Sequence, residues 1–539
     1  MSSSPLLTAL PADQPADDQS PGRRPEPRPA ARPLGGRYSF PAWLVVLAAA
    51  SVAGLVVLPV AVILGRGASL GADAAVDALV RPRVGDLLLN SLGLMALTVT
   101  ACVVLGVGAA WLVERTTLAG QGIWRALLVA PLAVPAFVTA FGWITVSSAV
   151  NGLWGAVLVT SLAYFPFVFL PVAAVLRGLD QGAEDSARAL GLTPWATFWR
   201  VVLPQCRAAI SGGALLVGLH VLAEYGVLEM MRFPTFTTAI LEQVAIGRST
   251  TTGALLAGVL VVLCILALAV ERLARGQARV ARHGRGTHRQ VDRHRIGGWA
   301  PIAVVGLGAV IAGAVGVPLA AIIRWLSANP NPLTPELGLA LLSTVELSAY
   351  AAIGAVIAAL PVAWLAVRAR RGPLVIFERA TYLASALPGV VVALAFVTLS
   401  VRYLPAVYQT GVLLIVAYVV LFLPRAVVAV RAGLEHAPPA LVDAARSLGT
   451  SGFGAMRRVV LPLVARPIAA GAALVFLAAS TELTATLILA PTGVRTLATG
   501  FWAPSDELDY VSAAPYALSL VALSLPLTFL LTRAASKES

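Results

Sequence analysis

From Ser39 to Thr532 the chain returns again and again to one pattern, an uncharged apolar run close to the ~20 residues that a helix needs to cross a bilayer. The runs fall near 41–64, 88–113, 123–147, 152–176, 207–229 and 252–271, then near 299–324, 340–367, 376–400, 410–430, 467–489 and 511–532. In lipid every backbone N–H and C=O must be satisfied inside the segment, so runs of this length have to be helices. Charged residues make up 12% of the chain, against about 25% in a soluble domain, and the mean hydropathy is +0.85. The fold class expected is therefore an all-α polytopic membrane protein with about 12 transmembrane helices. A soluble enzyme, a secreted disulfide scaffold and a disordered chain are excluded. Cys102, Cys206 and Cys264 are isolated and read as small packing residues.

The net charge is +13, and almost all of the cations are arginines, since Lys537 is the only lysine. Arginine gathers in cytoplasmic loops of membrane proteins, and the distribution here follows that rule. Residues 1–38 are rich in Pro and Arg and read as a disordered cytoplasmic tail, too long and Pro-rich for a signal peptide. Residues 39–272 form a first module and 299–533 a second, each with about six spans. A basic linker, 273–298, joins them, and 534–539 is a C-terminal tail. With the N-terminus inside, the linker and the loops 177–206 and 431–466 all fall on the cytoplasmic side, as does the C-terminus. Both termini are thus expected on the cytoplasmic side of the membrane. His283, His288 and His294 lie among the linker arginines and read as solvated, so no metal site is assigned and no nucleic-acid partner is implied.

The two modules are copies. Asn90-Ser91 matches Ser343-Thr344, Trp111-Leu112 matches Trp364-Leu365, Pro135 matches Pro388 and Pro171 matches Pro424, all at a shift of 253. Beyond the fourth span the shift is 258: Asp185 matches Asp443, Ala187 matches Ala445, Arg188 matches Arg446, Gly191 matches Gly449, and Arg200–Pro204 matches Arg458–Pro462. Two parallel six-helix repeats imply a pseudo-two-fold axis along the membrane normal with a pathway between the halves. The polar matches concentrate in two loops, Glu184 to Gln205 and Val442 to Leu463. In each, an acid opens a short run at helical spacing, a Gly ends it as a C-cap, a second short helix follows, and Leu-Pro closes the loop.

These loops resemble the EAA motif of permease subunits of binding-protein-dependent ABC importers. The first copy reads Asp185-Ser186-Ala187, Gly191, Val201 and Leu203-Pro204. The second reads Asp443-Ala444-Ala445, Gly449, Val459 and Leu461-Pro462. The departures are Asp for the first Glu, Ser186 for Ala, and Val for Ile. The resemblance implies the type I ABC importer permease fold, in which each loop docks one of two cytoplasmic ABC ATPase subunits, with Arg188 and Arg446 as surface contacts. No Walker A motif is present, since Lys537 is followed by Glu538 and no glycine pattern precedes it. ATP and Mg would then sit on partner subunits, with no cofactor and no catalytic residue in this chain.

The segments Ala223–Leu241 and Thr481–Gly500 resemble those of the fused, two-module permeases of the ferric-iron importer group, and thiamine permeases share the layout. The implied partners are an extracytoplasmic solute-binding protein and membrane lipid. Docking of the binding protein is expected on 65–87, 230–251, 325–338 and 490–509, with the halves rocking in alternating access. Ionisable residues inside spans are costly and usually face the bundle interior, where they either line a path or are hydrogen-bonded within their own bundle and shape its gate. Glu224, Glu346 and Glu482 are the candidates, with Tyr225 beside Glu224, and Glu224 and Glu482 are equivalent at the 258 shift. An ion-coupled facilitator also has twelve spans in two parallel halves, but the paired loops speak against it.

Overall fold

The computed structural model describes residues 42–69, 71–179, 182–245, 250–275, 293–368, 374–435, 444–445, 447–451, 454 and 456–537. They are almost entirely helical. Eight helices are long and apolar enough to cross a membrane, and eleven if each of three bent pairs counts as one span. The last helix, Tyr510–Lys537, adds a shorter apolar stretch, Tyr510–Pro526. Six spans per module are therefore present in the expected order.

Two spans that the hydropathy pattern draws as continuous, 123–147 and 376–400, are sharply broken. Gln121–Ala133 turns through 91° into Ala136–Val146, and Val375–Ala386 turns through 106° into Gly389–Tyr403. Proline explains both. It lacks the N–H of a helix interior, and it forces the residue before it out of the helical region. Val134 accordingly lies at φ −102°, ψ 115° and Leu387 at φ −88°, ψ 117°. The prolines then open the second limbs: the Pro135 carbonyl accepts from Val138 and Thr139, and that of Pro388 from Val391 and Val392. The span expected at 207–229 likewise stops at Ala223, and the one expected at 467–489 runs as Leu461–Ser480. A short helix comes after each, Gly226–Met230 and Thr484–Leu489.

The halves are interlocked by their first spans. Ala42–Ala68 packs on Thr252–Leu273 of its own half but also on Pro335–Arg368 and Gly389–Tyr403 of the other. Val317–Ser327, the end of the seventh span, packs correspondingly on Tyr510–Lys537 and, across the axis, on Ala136–Val146. Small residues make such close crossings possible in lipid, where packing rather than water drives association. A Cβ at Gly142 would lie 2.5 Å from Pro318 Cα. Inside each half the fifth span meets the fourth at a repeated glycine: a Cβ at Gly213 would lie 2.7 Å from the Phe167 carbonyl oxygen, and one at Gly471 2.7 Å from Ala429 Cβ. One large apolar core contains Val56 and Ile63 of the first span beside Ala351, Val391 and Phe501 of the second half. Cys102, Cys206 and Cys264 are buried free thiols, in keeping with a packing role.

Candidate coupling loops and the interface between the halves

The first duplicated loop is a helix, a tight turn and a second helix, and the described residues of the second follow the same course. In the first, Gly182–Ala189 ends at Gly191 with φ +85°, a conformation that favours a residue without a Cβ. The Leu192 N–H donates to the Ala187 carbonyl at 3.1 Å and the Gly191 N–H to that of Arg188 at 2.9 Å, the two bonds of a Schellman cap. In the second loop Gly449 stands at φ +86°, and the Thr450 N–H donates to the Ala445 carbonyl at 3.1 Å. The second helices of the two loops start alike. Thr193 Oγ1 accepts from the Ala196 N–H at 3.2 Å, and Ser451 Oγ from the Gly454 N–H at 3.0 Å. Both then widen into a π-helical turn, Phe198–Val202 and Met456–Val460. Leu203-Pro204 and Leu461-Pro462 account for this, because a proline ring would clash with the carbonyl four residues back.

The side chains divide into an exposed and an anchored set. Leu190 and Leu448, just before the turn glycines, are 86% and 85% exposed, too open to serve the fold. Asp185, Arg188, Pro204, Ala444, Leu461 and Pro462 are exposed as well, while Ala187 is buried and Leu203 and Ala445 are half-buried. Asp443 and Arg446 lie outside the described residues. The first loop adds Trp195 and Trp199, both exposed, of which Trp195 stacks on Phe198 and Trp199 meets it edge-on.

The sequence pattern points to Asp185, but the acid that anchors the loop is its neighbour Glu184. It is buried and pairs with the equally buried Arg115 at the end of the second span, with Arg188 3.9 Å away on the same helix. Nothing in the apolar periodicity marks Arg115, since a terminal arginine is ordinarily solvated. A second missed cluster lies close by in sequence. Glu114, 1% exposed, accepts from Arg125 at 2.6 and 2.7 Å and from Arg177 at 2.9 Å, tying together the second, third and fourth spans. In the other half Glu378 pairs with Arg431, which also reaches Glu435 at 3.0 Å.

His294 is not the solvated linker residue that its setting implies. It is half-buried; its backbone N–H donates to the Arg115 carbonyl at 2.9 Å, and its carbonyl accepts from Thr117 at 3.0 Å. His283 and His288 lie outside the described residues.

At the other end of the fifth spans, Glu224 and Glu482 occupy equivalent breaks. Each carboxylate caps the short helix beyond it, Glu224 accepting from the Val227 N–H at 3.1 Å and Glu482 from the Ala485 N–H at 2.9 Å. Their surroundings differ: the Tyr164 hydroxyl donates to Glu224, whereas the Glu482 carboxylate lies against Gly389, where a Cβ would come within 2.7 Å of Oε1. Glu346 is exposed on the eighth span and stands outside both clusters. Between the two breaks the halves close on one another through aromatic rings. Tyr225 meets Trp502 at 5.2 Å, Phe137 meets Phe501 at 5.3 Å, and Phe141 meets Phe501 at 5.5 Å and Tyr510 at 5.6 Å. Of these rings only Tyr225 is picked out by the sequence, through its place beside Glu224.

The chain is similar to known transport proteins over nearly its whole length. The family model described as binding-protein-dependent transport system inner membrane component matches twice, at residues 102–279 and 354–537. The Fe(3+)-transport system permease protein FbpB 2 of Haemophilus influenzae is 34% identical over 485 residues, covering 89% of this chain and 96% of that protein. Shorter matches include the sulfate transport system permease protein CysT of Synechocystis, 26% identical over 255 residues (42% of this chain, 87% of that protein). The molybdenum transport system permease protein ModB of Escherichia coli is 28% identical over 156 residues (26% of this chain, 67% of that protein). With two copies of the family domain on a multi-pass helical scaffold, the chain belongs to the binding-protein-dependent transport system inner membrane components, as a fused two-module ABC importer permease of the inner membrane.

Proposed function

We propose that this chain supplies both transmembrane halves and both ATPase-docking loops of a single importer, and that its cargo is ferric iron. The observation that carries the first part is the repeated loop: two glycine turns of matching backbone geometry, each presenting an exposed leucine (Leu190, Leu448) that the fold does not use. Two such loops on one polypeptide match one ATPase dimer. Asp185, Arg188, Asp443 and Arg446 are the polar contacts, Gly191 and Gly449 the turns, and Leu203-Pro204 and Leu461-Pro462 the hinges into the fifth spans. ATP and Mg belong to the partner subunits. Both termini then lie on the cytoplasmic side, with 1–38, 273–298 and 534–539 as tail, linker and tail around the modules 39–272 and 299–533. Iron as cargo is favoured by the likeness to an Fe(3+) permease over 89% of the chain, where the sulfate and molybdenum permeases match 42% and 26% of it.

The helix Arg207–Ala223 rises about 25 Å from its loop to Glu224, which puts Glu224, Tyr225 and Glu482 in the outer part of the path. The rings of Phe137, Phe141, Tyr225, Phe501, Trp502 and Tyr510 close the path beside these glutamates, as an outer gate does in a resting, inward-facing state. A loaded binding protein docks outside that gate. ATP-driven approach of the two ATPase subunits draws the loops together, and the halves rock until the rings part. Glu224 and Glu482 serve first as helix caps that shape the gate, and their carboxylates meet the cargo only when it opens.

Purification of the complex tests this. An ATPase pair is expected to come out with the chain, and excision of both loops to abolish that association and radiolabelled Fe(III) uptake together. Full uptake without the loops, or saturable thiamine uptake with none of iron, would overturn the respective half of the proposal.

A further inference from the structure

A soluble linker rich in arginine has little apolar surface to bury and little intrinsic reason to dock, beyond Ile296, which packs on the apolar core of the first half. The end of this linker is nevertheless held at four points. Two are the backbone bonds of His294 to Arg115 and Thr117, which make an isolated β-bridge with Thr116. The third is a stack, with the imidazole 5.5 Å from the Trp111 ring and 24° from parallel. The other neighbour of Trp111 is Phe198, 4.6 Å away and edge-on, in the second helix of the first loop. The fourth is Arg188 in that loop's first helix, whose Nη2 lies 3.1 Å from His294 Nε2. A guanidinium can only donate, so Nε2 must be the lone-pair nitrogen of a neutral ring. The linker end thus touches one loop helix directly and the other through Trp111.

The helix just beyond the linker matters as much. Three residues after His294 the chain enters Gly297–Ser327, the first span of the second half, which lies across the first half. Trp143 Nε1 donates to the Gly313 carbonyl at 3.0 Å, and Gly142 abuts Pro318. The linker end therefore joins the first loop to a helix of the other half by a short path that bypasses the fifth span.

We propose that residues 293–296 are a strap, with His294 as its positioning residue, that clamps the first loop to the inner end of the second span and carries part of the loop's motion into the second half. The strap's role in transmission rests on the ATPase-docking function proposed above for the loops. A strap of this kind makes the two loops unequal parts of the drive, although their backbones match.

The test uses the complete importer in proteoliposomes, loaded with radiolabelled Fe(III) on its binding protein, together with hydrogen–deuterium exchange on the full chain. His294→Ala is expected to speed exchange of the Gly182–Ala189 amides about tenfold, the consequence of losing a hydrogen bond to a charged group. It should lower iron uptake about fivefold while ATP turnover per complex stays within about twofold of wild type. His294→Gln, whose side-chain oxygen still accepts from Arg188, should recover more than half of both losses. His294→Phe, which keeps only the stack, should not. Unchanged exchange in His294→Ala overturns the strap. So does faster exchange with uptake and ATP turnover both intact, or with the two falling in parallel alongside a lower melting temperature, since that is a purely structural role. A wild-type complex that holds no ATPase would instead sink the importer proposal, and the strap's part in transmission with it.

Discussion

In the first loop Gly191 turns the chain at φ +85° and in the second Gly449 does so at +86°; the bond from the residue after the glycine back to Ala187 or Ala445 and the widened turns before Leu-Pro also coincide. Yet the first loop is anchored by a buried Glu184–Arg115 pair, while the sequence has Val442 at the position of Glu184. The same contrast recurs nearby. Arg125 corresponds to Glu378 and Glu114 to Val367, so the acid that ties three spans together at the end of the second span in one half stands at the start of the third in the other, where it pairs with Arg431 of the fourth. Backbone geometry at these places depends on residues with no substitute, a glycine for positive φ and a proline for a missing donor. The charges only need to be neutralised by some neighbour, and many pairings achieve that. Fusion into one chain lets the halves diverge in the second respect while the first is kept.

The largest effect that would break or sharpen this contrast is at the anchor. Glu184→Ala leaves the buried Arg115 charge uncompensated, which costs roughly 3–5 kcal/mol where a buried pair loses one partner. Its counterpart Val442→Ala should cost far less. Reversible unfolding of the purified chain in detergent, followed by tryptophan fluorescence, is expected to show a clear loss for the first variant and a small one for the second. Equal losses would mean that the two loops are held alike after all.

The turn glycines should behave in the opposite way, with matching effects in the two halves. A Cβ built at Gly191 or Gly449 meets nothing within 4 Å, so an alanine there pays only for its left-handed backbone. That is about 1–2 kcal/mol per residue. Gly191→Ala and Gly449→Ala should therefore lower stability by similar amounts. If only Gly191→Ala destabilises, the backbone of the second loop is not a true copy of the first.

Much of this architecture is legible because the membrane permits few alternatives. Apolar runs mark the spans, and the repeat sets the equivalence of Gly191 with Gly449 and of Glu224 with Glu482. Even the breaks at Pro135 and Pro388 are present in the alignment of the halves, although hydropathy draws a continuous span through each because a proline barely lowers an apolar average. The features that stay hidden depend on distance in the chain. Glu184 and Arg115 are separated by a pair of spans, and the spacing of neither predicts the other. His294 sits in a polar stretch where every local signal says solvent, and only a backbone bridge to a residue far back in the sequence reverses that. Phe501 and Phe137 meet across the pseudo-axis, which a repeat pattern locates but does not populate.

The smallest effect concerns pH, and it separates the loops again. Burial, and then the Arg188 and Arg115 guanidiniums, hold the His294 imidazole below its usual range. The charged groups around it are Arg188 and Glu184 from the loop helix, Arg115 from the second span, and Arg293 and Arg295 from the strap itself, with Glu184 already engaged by Arg115. The docked ring therefore binds fewer protons than the undocked one, whose pKa is about 6.5. Stability that comes from a depressed pKa is complete above the undocked value and is lost as pH falls through the docked one. Lowering the pH below about 6.5 should thus loosen the strap and never tighten it. After correction for intrinsic rates, amide exchange in Gly182–Ala189 is expected to rise modestly as the wild-type protein is taken into that window. It should stay flat in His294→Gln and at Leu448–Thr450 of the second loop, where no such imidazole is found among the described residues. A rise of equal size in both loops would trace the effect to the loops' own carboxylates and remove His294 from the explanation.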